Sequence, residues 1–169
     1  HVGARIPLGT KRNLLCEAAR GDILLHMDDD DWQPATRVSA AVAALEHGEP
    51  EVVGRTVVAV WDLTTDQLHT TPPAGDKHAM AGTLAYTRSF WTTHPWAADP
   101  RDEERQFLRN FVAPLGQLPG APEATLVALT HGENTRLNPR PLPCVDASID
   151  RWLPEDDIAF YRGIDLYDW

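Results

Sequence analysis

The chain has 169 residues, 43% hydrophobic and 24% charged, the mix of one globular domain large enough to bury a core. Acidic residues outnumber basic ones 25 to 15, and the net charge of -10 repels nucleic acid and anionic membrane surfaces, though a local cation site fits inside the acidic field. No apolar run approaches the ~18 residues that a membrane span needs. The sequence opens on His1 with no initiator Met and no signal-like segment, which reads as a processed product or a fragment. Its two cysteines, Cys16 and Cys144, are too few for a disulfide framework and read as reduced thiols of a cytoplasmic protein, a single bridge being the alternative.

Thr10 is placed to cap a helix that opens at Lys11, with Leu14, Leu15, Ala18 and Ala19 as its apolar face and Gly21 as its end. Residues 23–27 read as a short buried strand. After Asp28–Asp31, Trp32 and Gln33, Pro34 suits the first turn of a second helix, with Val38, Val42 and Leu45 at helical spacing and Gly48 as its close. Residues 51–60 are β-branched and strand-like, and residues 61–81 read as a hairpin or loop. Residues 82–86 predict another strand, residues 102–112 an amphipathic helix with Phe107, Leu108, Phe111 and Val112 inward, and residues 125–130 a last strand. This alternation predicts an α/β fold with a mostly parallel sheet flanked by helices over residues 1–135. Prolines 139, 141, 143 and 154 break regular structure in an acidic, aromatic tail over 136–169, which would wrap the domain or pack on a partner, a second copy included. There is no internal repeat and no low-complexity segment.

A run of like charges is ordinarily a solvated loop. Here an apolar strand delivers the aspartates, and Trp32 and Pro34 follow at once. In an extended chain Asp28 and Asp30 face one way and Asp29 and Asp31 the other. Two carboxylates on one side of a strand end can hold one hard divalent cation through oxygen. Open α/β sheets bind ligands just outside the carboxyl ends of their strands. No Asp-x-Asp-x-Asp-Gly calcium loop is present.

Gly9-Thr10-Lys11-Arg12-Asn13, then Ala18-Ala19-Arg20-Gly21-Asp22, then His26-Met27-Asp28-Asp29-Asp30-Asp31-Trp32, together resemble family 2 glycosyltransferases of the A-type fold. Gly82-Thr83-Leu84-Ala85-Tyr86-Thr87-Arg88 resembles the acceptor-side strand of that family. Glu103-Glu104 resembles its Glu-Asp pair at a helix start, and His131-Gly132-Glu133-Asn134 a His-Gly-x-Asn ending seen in some members. The likeness spans residues 5–135 and leaves out the tail. It departs from the family in starting after the usual strand-helix-strand unit that grips the nucleoside, and in carrying Glu-Glu for Glu-Asp.

The resemblance implies a Rossmann-like A-type fold that transfers a sugar from a nucleotide-sugar donor to an acceptor hydroxyl, with Mn²⁺ or Mg²⁺ as cofactor. Asp28, Asp30 and Asp31 would hold the metal, Asp30 most directly, with His131 as a further ligand. Asp28, Asp29, Lys11, Arg12, Asn13, Gly82, Thr83 and Arg88 would face nucleotide or substrate. Glu104 would be the general base and Glu103 would orient it. Each has a plainer reading. Lys11 and Arg12 serve equally as solvated helix charges, and Asn13 as a helix-face amide. Acids suit the first turn of any helix. A lone histidine such as His131 is more often a structural hydrogen-bonder, His26 reads as packed, and Trp32, Trp91 and Trp96 read as core before sugar platforms. Two other function classes fit the residues: a metal-dependent nucleotidyl or phosphoryl transferase, and a non-catalytic glycosyltransferase-like binding module.

Overall fold

The computed structural model describes residues 6–46, 50–98, 103–108, 115–131 and 142–163. Helix α1 (Leu8–Ala18) leads into strand β1 (Ile23–Leu25), and helix α2 (Arg37–Glu46) into β2 (Val52–Gly54). The hairpin β3 (Ala59–Asp62) and β4 (Gln67–Thr70) follows, then β5 (Ala85–Thr87), α3 (Arg88–Thr93) and α4 (Glu103–Phe107). β6 (Leu115–Gln117), β7 (Val127–Thr130) and α5 (Glu155–Gly163) complete the order.

The strands form two mixed sheets, ordered β1-β5-β2-β6 and β4-β3-β7. The expected mostly parallel sheet is corrected: among the described residues β2 with β6 and β3 with β7 run parallel, while β1 with β5, β2 with β5, and β3 with β4 run antiparallel. The helical crossover α2 does make β1 and β2 parallel, as the rhythm of the sequence implies. β5 then enters between them in the opposite direction.

Alternation along the strands covers both faces of the first sheet. Leu24, Val52 and Tyr86 pack with Cys16 of α1, Phe90 of α3 and Phe107 of α4. Val53 and Ala85 pack on the other face with Ala41 and Leu45 of α2. The expected strand over residues 51–60 is two strands in different sheets. The chain breaks at Arg55, whose guanidinium donates to the carbonyls of Leu118, Pro119 and Gly120. Gly54 permits the break, because a Cβ there would lie 2.6 Å from Ala79 Cβ.

Two helix faces also differ from expectation. α1 starts at Leu8 behind Pro7, without a side-chain cap, so Thr10 lies inside it. Its buried residues are Gly9, Arg12 and Cys16, whereas Leu14 and Leu15 are 50% and 64% exposed. Gly9 sets this rotation, since a Cβ there would fall 1.9 Å from the Ala97 carbonyl oxygen, where the chain crosses the helix. In α2 the buried stripe is Arg37, Ala41 and Leu45, not Val38 and Val42. Of the predicted helix over 102–112, residues 109–112 lie outside the described residues; Phe107 and Leu108 are buried as expected.

The tail closes the second sheet. Ile149, Leu153 and Ile158 join Trp61, Leu68, Val127 and Leu129 in one core. Thr70 N–H donates to the Pro143 carbonyl and Val145 N–H to that of Leu68, so the tail also pairs along β4. Among the described residues no helix is long and apolar enough to cross a membrane.

Candidate active site at the aspartate turn

The aspartates carry the chain from one sheet to the other. His26 N–H still donates to the Leu84 carbonyl beside β1, and Trp32 exchanges both backbone hydrogen bonds with Val127 of β7, each 3.0 Å. Between these anchors the chain turns at Asp29 and Asp30. The expected extended alternation is therefore corrected: a crossing between sheets demands a bend, and Pro34 and the Trp32 bridge impose it.

The bend separates the four carboxylates. Asp29 is exposed. Asp31 turns inward, and its Oδ1 accepts the Leu129 N–H at 3.1 Å. Burial pushes its carboxyl up to about 7; the charges of Asp28, Asp30 and Asp29 add to the rise, and the Leu129 amide works against it. Asp28 and Asp30 are half-buried. Asp28 Oδ1 lies 3.5 Å from Arg12 Nη2, and Asp28 Oδ2 lies where Gly82 leaves space, 2.9 Å from the position of a Cβ there.

Arg12 is 4% exposed and is not a solvated helix charge. Its guanidinium carbon sits 5.1 Å over the Trp96 ring, and its Nε is buried with no hydrogen-bond partner among the described residues. Trp96 stacks on Phe107 of α4, 4.1 Å apart and 6° from parallel. This stack ties the aspartate turn to α4, which Glu103 opens. Glu104 Oε2 is buried and has no hydrogen-bond partner among the described residues. The Glu103 side chain lies outside the described part of the structure.

Beneath Arg12 the Trp96 Nε1 donates to Tyr86 Oη at 2.8 Å, and Tyr86 Oη also meets His26 Nε2 and Cys16 Sγ. Burial, with the Arg12 charge, pulls His26 down to about 3. Burial pushes the Tyr86 hydroxyl and the Cys16 thiol up. The expected packed role of His26 matches this buried network.

Other predicted positions have structural duties. Asn13 Oδ1 accepts Trp96 N–H and Trp91 Nε1–H, and its Nδ2 donates to the Trp96 carbonyl, which commits the amide oxygen and one of its two N–H groups. Thr83 is fully buried; its hydroxyl donates to the Met80 carbonyl at 2.7 Å, lies 3.2 Å from the Arg55 carbonyl and accepts Arg55 N–H. Arg88 is at the far end of β1, where it donates to the carbonyls of Cys16, Ala19 and Gly21 and caps α1. A cavity of about 730 Å³ opens at that far end, lined by Asp22, Leu45, Arg88 and Thr92 among others, away from the aspartates. Lys11 is exposed in the first turns of α1, and its own N–H already donates to the Pro7 carbonyl. His131 is half-buried just past β7, and Gly132, Glu133 and Asn134 lie outside the described residues. Trp32 donates from Nε1 to Asp157 of α5 at 2.8 Å, a bond that holds the tail to the turn.

Sequence reasoning missed Arg37 and Gln33. Arg37 is 1% exposed and donates to the Thr83 carbonyl, while its Nε and Nη1, and both polar atoms of Gln33, are buried without partners among the described residues. The available signal was an arginine at i, i+4 and i+8 spacing with Ala41 and Leu45.

Among the described residues no three His, Cys, Asp or Glu side chains converge as a metal cage. Asp28 and Asp30, both half-buried, offer carboxylate oxygens of the kind a hard cation takes. Mg²⁺-type ions are commonly held by one or two carboxylates plus substrate phosphates, not by all-protein cages.

The structure is of the α/β class, with an acidic turn at a strand's carboxyl end, the place where open α/β sheets bind ligands. Within that class, the model of glycosyl transferase family 2 matches residues 7–110, more than half of the chain, and the chain belongs to that family. Membership carries sugar transfer as its general activity and the A-type fold, here with mixed sheets. No curated protein matches the chain.

Proposed function

We propose that this chain transfers a sugar from a nucleotide-sugar to an acceptor hydroxyl with the help of Mn²⁺ or Mg²⁺. The observation that supports it best is Asp28, held at the end of β1 between the Arg12 guanidinium and Gly82 within the matched family region. Asp28 and Asp30 would hold the cation, which when bound supplies positive charge against the departing diphosphate. Asp31, anchored to Leu129, would brace the turn from behind. Arg12 orients Asp28 and adds positive charge on the diphosphate side.

Glu104 would take the proton from the acceptor hydroxyl as it attacks the anomeric carbon, as a reaction that inverts configuration requires. Its buried Oε2, without a partner among the described residues, supports this reading, because a buried polar atom without a bond costs stability and calls for an explanation. The Phe107–Trp96–Arg12 stack couples the height of α4 to the aspartate turn.

The test is nucleoside diphosphate release from a panel of nucleotide-sugars, in chelator, Mg²⁺ and Mn²⁺, with Glu104→Gln beside the parent. Release should require the metal, and Glu104→Gln should lower turnover by about 10²–10⁴. No release from any donor would leave the non-catalytic binding module as the better reading.

A further inference from the structure

Arg37 presents an energetic problem. A guanidinium taken out of water without a carboxylate partner costs several kcal/mol, and an apolar side chain of similar size would serve the core better. Arg37 is nevertheless 1% exposed on the α2 stripe that packs against the first sheet. Burial is the one cause that pulls it down to about 10. Its Nε and Nη1 have no partner among the described residues, and Nη2 donates to the carbonyl oxygen of Thr83 at 2.5 Å.

Thr83 closes the short 3₁₀ turn Ala81–Thr83. Its hydroxyl is gripped by Met80 and by both backbone groups of Arg55. Arg37 adds a hold on the carbonyl, so Thr83 is fixed from its side chain and its main chain. The residue before it, Gly82, bears directly on Asp28: an added Cβ would stand 2.9 Å from Asp28 Oδ2, while its other contact, Leu126 Cδ2, would be an ordinary 3.6 Å away. Asp28 Oδ1 faces Arg12 at 3.5 Å. One carboxylate oxygen therefore faces Arg12, and the other lies against the Gly82 turn, in the space that a Cβ there would take.

We infer that Arg37 is a positioning residue, which holds the Ala81–Thr83 turn through the Thr83 carbonyl and thereby sets the orientation in which Asp28 meets the cation and diphosphate of the donor. The inference rests on the proposed role of Asp28 and extends it to a residue on the far side of the turn. Gly82 transmits the position because it alone leaves room for the carboxylate. The cost of burying Arg37 then has its explanation at the site, where local rules of stability are most often broken.

The test uses Mn²⁺ binding, read by electron paramagnetic resonance with and without inorganic pyrophosphate as a stand-in for the donor diphosphate. The proteins are the parent, Arg37→Met, Arg37→Lys, Gly82→Ala and Asp28→Asn, each also melted. Arg37→Met and Gly82→Ala should weaken Mn²⁺–pyrophosphate binding about tenfold or more, on the scale that displacement of a site group by about 1 Å produces. Arg37→Met should melt within a few degrees of the parent, because it removes a buried charge that has no carboxylate partner among the described residues. Arg37→Lys keeps one donor for the Thr83 carbonyl and should recover part of the binding. If Arg37→Met does not fold, Arg37→Lys decides: parent-like melting with weakened binding supports the inference. Arg37 and Gly82 variants that bind like the parent while Asp28→Asn does not would overturn the positioning role and leave the proposed function standing. A parent that binds no Mn²⁺, or an Asp28→Asn variant that binds normally, would overturn the reading of the aspartate turn itself, and this inference with it.

Discussion

Replacing Tyr86 with phenylalanine removes one oxygen atom and leaves the ring packing of the first core intact. That oxygen accepts Trp96 Nε1–H at 2.8 Å, is hydrogen-bonded to His26 Nε2, and lies 3.3 Å from Cys16 Sγ. Trp96, His26 and Cys16 are all buried, so water cannot replace the missing partner. A buried hydrogen bond contributes about 1 kcal/mol net, and a stranded buried donor costs about 1–3 kcal/mol. With the indole N–H stranded and the hydrogen bond to His26 removed, Tyr86→Phe should cost about 2–4 kcal/mol, a large share of the ~5–15 kcal/mol that holds a domain together. At about 2–4 °C per kcal/mol for a chain of this size, the melting temperature should fall on the order of 4–16 °C. Urea unfolding at pH 8, where His26 is neutral in both states, measures the free energy, and an unchanged m-value keeps the comparison valid. Because Trp96 is the platform under Arg12, the variant should also weaken Mn²⁺ binding. A stability within about 0.5 kcal/mol of the parent would mean that the Tyr86 hydroxyl does not organise this core.

His26 has a folded pKa of about 3, below its ordinary 6.5, so its contribution to stability is full above pH 6.5 and is lost as pH falls toward 3. Asp31, raised to about 7, has the opposite sign, losing stability as pH rises from 3.8 toward 7. In an Asp31→Asn background the His26 slope should therefore emerge, up to about 1.4 kcal/mol per pH unit between pH 6 and 5, and a flat curve there would refute its burial as neutral imidazole. Native protein should react with a thiol reagent at the exposed Cys144 alone, with Cys16 reacting only after unfolding; two equally fast thiols would contradict the buried place of Cys16. Millimolar Mn²⁺ at 100 times its dissociation constant should stabilise the fold by about 2.7 kcal/mol. Asp30→Asn should lose most of that shift and Asp29→Asn, exposed in the turn, should keep it, with equal melting in chelator and Mn²⁺ as the result that sinks the metal site.

The sequence left α3, β6 and α5 unanticipated, but α1, α2, β1, β7, the helical crossover between β1 and β2, and the inward faces of Phe107 and Leu108 were readable from it. Each depends on local periodicity and on glycine and proline stops, which act over a few residues. The aspartate run was also legible as a candidate site, because four adjacent carboxylates after an apolar strand are costly without a purpose. Its shape was not. Whether the run is extended or bent depends on Val127, some 95 residues away in sequence, which pairs with Trp32 and draws the chain into a second sheet.

The same distinction governs the candidate residues. Arg12, Asn13 and Arg88 are polar groups on or beside one helix, and nothing local tells them apart. Contacts distant in sequence give Arg12 to Asp28, Asn13 to the Trp96 backbone, and Arg88 to the end of α1. The insertion of β5 between β1 and β2 was likewise hidden, because a crossover helix sets strand direction but does not decide which strand fills the gap. The sequence by itself determined the first helices and strands and that carboxylates follow the end of β1. The tertiary structure alone decided which oxygen faces which partner, because those distances arise from backbone crossings such as Gly9 under Ala97 and Gly82 against Asp28, where the absence of a side chain lets two remote segments touch.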